Sequence, residues 1–310
     1  MTALICGSLA YDNIMVFPGR FKDHILPEKI HILNVCFVVP DLRREYGGCA
    51  GNIAYSMKLL GAEALPMSTV GKDFAGYASW LDKNHISRDY IKVIDDAFTA
   101  QCFITTDLDD NQISTFQVGA MAHSHENTIL DADSISIGIV APDGKDGMLQ
   151  HSQQFAQAGI PFIFDPGQNV PIMEKDELLT CFEHATWLTF NDYEWQLVEQ
   201  KTGLSTDTIT DMVDALVVTL GSKGSVIYSK ANSYEIPPVK TEIINDPTGC
   251  GDAYRAGMLY GLMNDMDWQT IGHIASLISS IKIEHHGTQN HKFEKQEFAD
   301  KFKECFDYSL

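Results

Sequence analysis

From residue 52 onward the chain alternates short apolar runs with amphipathic stretches, and that rhythm limits its fold more than any other feature. Ala64–Val70, Ser136–Ala141, Pro161–Asp165, Trp187–Phe190 and Ala215–Leu220 are short and rich in apolar side chains, which suits buried strands. Helical stretches lie near 74–84, 144–158, 174–183 and 191–202, and the last third adds three more, near 250–263, 267–283 and 293–305. Ala3–Cys6, ending in Gly7, reads as a first buried strand. Such alternation predicts an α/β fold with a central, mostly parallel sheet and helices on both faces. Two segments break the rhythm with strands only. Residues 13–46 hold Ile14–Phe17 and Ile30–Val39 between Pro18, Pro27 and Pro40. Residues 98–119 hold Gln101–Thr106 and Gln112–Val118, joined by the polar connection Asp107-Leu108-Asp109-Asp110-Asn111. Together they read as a small β-sheet lid on a single domain spanning 1–310.

Charge narrows the partners. Lys+Arg 22 against Asp+Glu 42 leaves a net charge of −20, which argues against a nucleic-acid groove or an anionic membrane surface. It leaves a small phosphorylated ligand open, because a metal ion and a helix N-terminus can neutralise phosphate locally. The seven cysteines show no Cys-x-x-Cys spacing, so reduced thiols in a cytoplasm are expected. Residues 1–7 lack a basic region followed by a long apolar one, so no signal peptide is expected. No apolar run approaches the ~20 residues of a membrane span.

The chemistry concentrates in Asp246-Pro247-Thr248-Gly249-Cys250-Gly251-Asp252, directly before an apolar helical stretch. A Gly-Cys-Gly turn opening a helix lets backbone N–H groups approach an anion, and the helix dipole favours it there. A carboxylate just beyond would repel that anion unless it has a task, such as taking a proton from an attacking hydroxyl. An anion cradle beside a base is what phosphoryl transfer to an alcohol requires. The bland alternative is a glycine turn with a capping Asp.

A second cluster, Gly47-Gly48-Cys49-Ala50-Gly51-Asn52-Ile53-Ala54, also precedes an amphipathic helix. Between and before the clusters lie Gly7-Ser8-Leu9-Ala10-Tyr11-Asp12, Asn191-Asp192-Tyr193-Glu194 and Thr219-Leu220-Gly221-Ser222-Lys223-Gly224. In this order, from about residue 3 to about residue 290, the five motifs resemble the ribokinase-like (PfkB) family of ATP-dependent sugar and nucleoside kinases. The context Tyr46–Tyr55 looks closer to a bacterial nucleoside-kinase branch than to ribokinase.

The resemblance implies roles residue by residue. Asp252 is the base. A carboxylate of reference pKa ~3.9 cannot deprotonate a sugar hydroxyl in the ground state, so the proton moves late, as the oxygen bonds to phosphorus. The N–H groups of Gly249, Cys250 and Gly251 stabilise the transferred phosphoryl. Cys250 stands where the family more often has Ala, and reads as a small buried thiol, not a nucleophile. Asp12, Gly48 and Asn52 hold the ribose or sugar. Asn191 and Glu194 organise magnesium through water, with a plain helix cap as the alternative. Thr219, Gly221 and Gly224, with Asn191, lie against the nucleotide, in a turn that also suits a type I′ or II′ hairpin. Asp165, at a strand end in Asp165-Pro166-Gly167, falls loosely in the magnesium and phosphate region. Asp246 and Thr248 match positions that hold a monovalent cation, K⁺, in many relatives, with Glu284–Thr288 closing the site. Some nucleoside-kinase relatives do not depend on such an ion. His285-His286, and His123 with His125, read as solvated loop histidines.

The implied activity is ATP- and Mg²⁺-dependent phosphorylation of a primary hydroxymethyl on a ribose-like ring, with a purine nucleoside such as adenosine favoured over a free sugar. Fructokinase or ribokinase activity is the close alternative. A ligand sensor that lost catalysis is a third reading, opposed by the presence of both Asp252 and the Gly249–Gly251 turn. A dehydrogenase is a fourth, opposed by the absence of Gly-x-Gly-x-x-Gly after the first strand. The apolar content of Ile30–Val39 and Gln101–Val118 exceeds what a nucleoside hides, which favours a symmetric homodimer through the lids over a monomer whose lid is covered by substrate alone.

Overall fold

In the computed structural model, which describes residues 1–109, 111–230 and 232–310, the strand–helix rhythm becomes one nine-stranded sheet and a separate four-stranded sheet. The strands are β1 (Thr2–Cys6), β2 (Ala10–Val16), β3 (Leu42–Gly47), β4 (Glu63–Gly71), β5 (Tyr90–Ile94), β6 (Ala100–Thr106) and β7 (Gln112–Gln117). They continue as β8 (Ile137–Val140), β9 (Phe162–Phe164), β10 (Trp187–Asn191), β11 (Ala215–Thr219), β12 (Ser225–Ser229) and β13 (Ser233–Ile236). The helices are α1 (Cys49–Leu60), α2 (Ala75–Lys83), α3 (Lys145–Ala158), α4 (Lys175–His184), α5 (Asp192–Thr202), α6 (Thr206–Met212), α7 (Cys250–Met263), α8 (Trp268–Ile283) and α9 (Lys295–Phe306).

The large sheet runs β13-β12-β11-β10-β9-β8-β1-β4-β5. Its pairs are parallel from β5 to β11, and β12 and β13 extend it antiparallel. Period-two alternation divides β1 between two cores: Ala3 and Ile5 join the residues of α1, α2 and α7, while Leu4 and Cys6 join those of α3, α4 and α5. Burial of both faces explains why these strands are almost wholly apolar. α9 packs through Phe298 and Phe302 against Ile274, Leu277 and Ile278 of α8.

The small sheet runs β3-β2-β6-β7, so it comprises the two segments expected to form a lid. Within it Ile30–Val39 is not a strand: Pro27–Ile32 is a short 3-10 turn and residues 33–39 are irregular. Pro27 presets the turn, and these residues find no pairing edge. Strands β3, β5 and β13 and helix α6 escaped the sequence reading, β3 because its Leu42-Arg43-Arg44-Glu45 run is charged and largely exposed. Asp110, in the expected β6–β7 connection, lies outside the described residues. No helix among the described residues is long and apolar enough to cross a membrane.

Candidate active site

The carboxyl ends of β1, β8, β9, β10 and β11 point to one edge of the large sheet, where open α/β sheets bind ligands. The small sheet meets the same edge. Gly7–Leu9 leaves β1 there and enters β2, which carries Asp12.

Gly48 begins α1 with φ +88, a conformation open to glycine, and a Cβ there would meet the Ser8 carbonyl oxygen at 2.5 Å. The turn closes on the protein itself: Cys49 N–H donates to Ser8 Oγ at 3.2 Å and Ala50 N–H to the Ser8 carbonyl at 3.0 Å. Gly48 therefore serves backbone-to-backbone packing. Asn52, one turn into α1, is buried and donates from Nδ2 to Asp252 Oδ2 at 2.7 Å. Two residues 200 positions apart, expected on opposite sides of the reaction, are thus directly bonded.

Gly249 opens α7 with φ +79. Among the described residues, nothing accepts from the N–H groups of Gly249 and Gly251, and Gly251 is exposed. Cys250 departs from the expectation, because its N–H donates to the Pro247 carbonyl at 3.2 Å. That hydrogen bond closes the turn, so of the three expected donors only Gly249 and Gly251 keep an uncommitted N–H. Cys250 Sγ contacts the Ser279 carbonyl at 3.7 Å, and burial pushes its thiol up to about 11, which fits an inert group.

Burial raises the Asp252 carboxyl to about 6, against the amide of Asn52 and the charge of Arg255, which pull it down. Burial, and then the charge of Asp252, raises Asp12 to about 6 as well. Asp12 lies over the first turn, since a Cβ at Gly47 would sit 2.5 Å from its Oδ2. In the small sheet Asp12 pairs with Cys102 and Glu45, and Cys102 with Phe116. Ile14 and Ile104 are the next pair on the same face.

Asn191 and Glu194 form a reciprocal cap: Asn191 Oδ1 accepts from Glu194 N–H and Glu194 Oε2 from Asn191 N–H, both at 2.8 Å. Burial, and then the charge of Asp165, raises the Glu194 carboxyl. Asp165 itself is buried and held by Arg255, with Nε–Oδ2 at 2.8 Å and Nη2–Oδ1 at 3.2 Å. Thr219 ends β11, but the connection to β12 is a 3-10 turn at Gly221–Lys223, longer than a two-residue hairpin. His123 pairs with Glu126 at 2.8 Å, and no group of metal-ligating side chains gathers among the described residues.

The Asp246 carboxylate accepts from Thr248 N–H and Gly287 N–H, both at 2.9 Å. Against the cost of burial, those N–H groups hold it below the usual carboxylate range. The Asp246 carbonyl accepts from Lys282 Nζ at 2.6 Å. The residues expected to hold K⁺ therefore do not fit it, because an ammonium already occupies the Asp246 carbonyl.

Three positions that hold the candidate site together escaped the sequence reading. Gln289 donates from Nε2 to Asn52 Oδ1 at 3.0 Å and to Tyr77 Oη at 2.6 Å, and its Oε1 accepts from Trp80 Nε1 at 2.9 Å. Tyr77 donates onward to the Gly47 carbonyl at 2.8 Å. This buried chain fixes the amide that holds Asp252. Gln289 carries no local signal, as its partners lie more than 200 residues away. Arg255 and Lys282 do carry one: each is a lone basic residue in an apolar helical run.

The pfkB family carbohydrate kinase model matches residues 19–296. The chain belongs to this family. Its reaction is therefore ATP-dependent phosphoryl transfer to a hydroxyl of a nucleoside or a sugar. It is 34% identical over 264 residues, 84% of this chain and 87% of the relative, to a nucleoside kinase of Methanocaldococcus jannaschii. The structure of Burkholderia thailandensis nucleoside kinase in complex with inosine superposes with a TM-score of 0.90 at 47% identity, covering 99% of each chain. The same enzyme in complex with ADP-inosine gives 0.88 at 48% identity, covering 99% of this chain and 97% of the other.

Proposed function

We propose that this kinase phosphorylates the 5′-hydroxymethyl of a purine nucleoside, adenosine or a close analogue. The observation that carries the proposal is the 2.7 Å bond between Asn52 and Asp252, which joins the ring-holding turn to the base and the phosphate cradle. Asp12 accepts from the ring hydroxyls and Asn52 steadies the base. Asp252 receives the hydroxyl proton as the oxygen bonds to phosphorus, and the N–H groups of Gly249 and Gly251 take up phosphoryl charge. The face shared by Asp12, Ile14, Cys102, Ile104 and Phe116 offers apolar surface to a flat heterocycle, which a free sugar would leave uncovered. The inosine complex of the Burkholderia relative supports the same substrate class.

No preformed cluster of ligands gathers for magnesium among the described residues, so the ion would come with the phosphates of ATP and be held through water. Asp165, Glu194 and Asp252 share one buried cation, Arg255, and a further positive charge relieves their crowding. Asn191 and Glu194 would hold the ion through water, and it would neutralise phosphate charge on ATP. Thr219, Gly221 and Gly224 would face the nucleotide. The small sheet would act as a lid that closes over the acceptor within one kinase domain. The exposed Leu42, Phe103 and Ile113, on its opposite face, suit a second copy of the chain. Light scattering at micromolar concentration tests the dimer, and a 34.5 kDa species would exclude it. The seven free cysteines suit a reducing cytoplasm.

ADP release measured across purine and pyrimidine nucleosides, fructose and ribose tests the substrate. Turnover of a purine nucleoside well above both sugars is expected. Preference for fructose or ribose would replace this reading with a sugar kinase.

A further inference from the structure

α8 ends against the phosphate cradle. The Ile283 carbonyl accepts from Asn245 N–H at 3.0 Å and Asp246 N–H at 3.2 Å, and the Glu284 carbonyl accepts from Asn245 Nδ2 at 2.7 Å. A helix C-terminus carries partial negative charge. The fold thus aims a negative dipole end at the loop that must receive a triphosphate. Lys282 stands in the last turn of α8 at 0% exposure. Its Nζ donates to the Asp246 carbonyl at 2.6 Å and reaches the His285 carbonyl at 3.5 Å. No carboxylate among the described residues comes within ion-pair distance of it. An ammonium buried on backbone carbonyls without a paired carboxylate is costly. Its position between Asp246 and His285 is where a free cation would draw the two loops together.

We propose that Lys282 is the resident cation of this site, replacing a free monovalent ion. It ties Asp246, at the start of the cradle, to the 284–288 loop and offsets the α8 dipole beneath the phosphates. The Asp246–Gly249 backbone is thereby held so that the N–H groups of Gly249 and Gly251 face the anion. Lys282 touches no reacting atom and acts as a positioning residue. The inference rests on phosphoryl transfer and not on which hydroxyl accepts it.

ADP release by the wild type, with MgATP and its best acceptor, is measured first and establishes the kinase independently. Exchanging K⁺ for Na⁺ or tetramethylammonium at constant ionic strength should then change turnover by less than about twofold. Saturable activation by K⁺ beyond that would overturn the proposal, whether or not any variant folds. Lys282→Ala should lower turnover by about 10², the scale of a lost phosphoryl-stabilising group, and raise the KM for ATP. Ammonium, methylammonium or K⁺ should return at least about tenfold of that loss in Lys282→Ala, whose side-chain space is open to a small cation. Lys282→Met fills that space and should not respond. Full activity in Lys282→Ala, or equal rescue of both variants, would sink the assignment.

Discussion

The two glycine turns look alike in sequence and are used in opposite ways. Both open a helix at the same sheet edge, and both place a polar residue within the first turn and a half, Asn52 on α1 and Asp252 on α7. At the first turn the protein consumes the donors itself: Cys49 and Ala50 bond Ser8, and a side chain on Gly51 would collide with the Tyr77 hydroxyl. At the second, Gly249 and Gly251 keep their N–H groups free, and the nearest atom to a Cβ on Gly251 is Arg255 Nη1 at 3.3 Å. One turn is closed and positions a side chain. The other is open, as the proposed anion cradle requires. A glycine cluster before a helix therefore states only that the backbone comes close to something. Whether that something is protein or ligand depends on which elements the fold brings against it.

The largest effect separating the two turns should come from Asp252→Asn. The amide keeps the shape and can still accept from Asn52, but it cannot take a proton. Turnover should fall ~10²–10⁴, the usual worth of a positioned acid–base group, while ATP affinity survives. Single-turnover ADP release and nucleotide titration check the two halves. Retention of more than about a tenth of the wild-type rate would remove Asp252 from the chemistry.

A second contrast lies in stability. Gly48→Ala combines a left-handed backbone with a clash against Ser8, Leu9 and Ala10, and should cost several kcal/mol, on the order of 2–4. Gly251→Ala meets no such clash and replaces glycine inside a helix, so the fold should stay within about 1 kcal/mol of wild type. Its added methyl should instead crowd the phosphate approach and raise the KM for ATP. Denaturant midpoints and ATP kinetics read the two separately. Equal destabilisation by both would erase the distinction between a closed and an open turn.

Most of the fold was legible because its strands are short, apolar and separated by helical periods. Strands β2, β6 and β7 of the four-stranded sheet were legible too, where that rhythm fails, but β3 was not. The extended reading of Ile30–Val39 failed because β-branched residues favour a strand only where a neighbour pairs with them, and this segment has none. In the site, Asp12, Asn52 and Asp252 could be named from motifs, yet nothing local says that Asn52 bonds Asp252. Gln289 was invisible for the same reason. Lys282 was visible only as a basic residue at the end of an apolar helix, and its ammonium displaces the K⁺ that the motif itself suggested. Motifs report local backbone needs, whereas ion identity depends on what a distant helix delivers.

Asp12 lies beside the closed turn, so its loss should weaken binding more than chemistry. Asp12→Ala leaves ring hydroxyls unpaired and should cost the nucleoside several kcal/mol at most, with ATP affinity little changed. The 2′-deoxy analogue sharpens the test. Wild type should prefer the ribonucleoside, and Asp12→Ala should lose that preference. Equal discrimination by both proteins would free Asp12 from reading the hydroxyl.

The smallest effect is a matter of pH, and it joins the two turns. Burial raises the carboxyls of Asp12 and Asp252 to about 6 each, and the charge of Asp252 is a second cause of the rise at Asp12. In the proposed roles both must be ionised, one to accept from hydroxyls and one to accept a proton. Near pH 6 both are only partly ionised, so kcat/KM should already stand well below its plateau. Below that the limb should approach two decades per pH unit, and its apparent values belong to the pair. Stability runs the other way. A carboxyl whose pKa is higher in the folded state binds more protons there than when unfolded. These two groups therefore favour folding most below the unfolded value of 3.8, and that contribution is lost as pH rises through about 6. In Asp12→Asn the acid limb should fall to one decade per unit, because only Asp252 still has to ionise. A limb that stays equally steep would mean that the second titrating group is not at the closed turn.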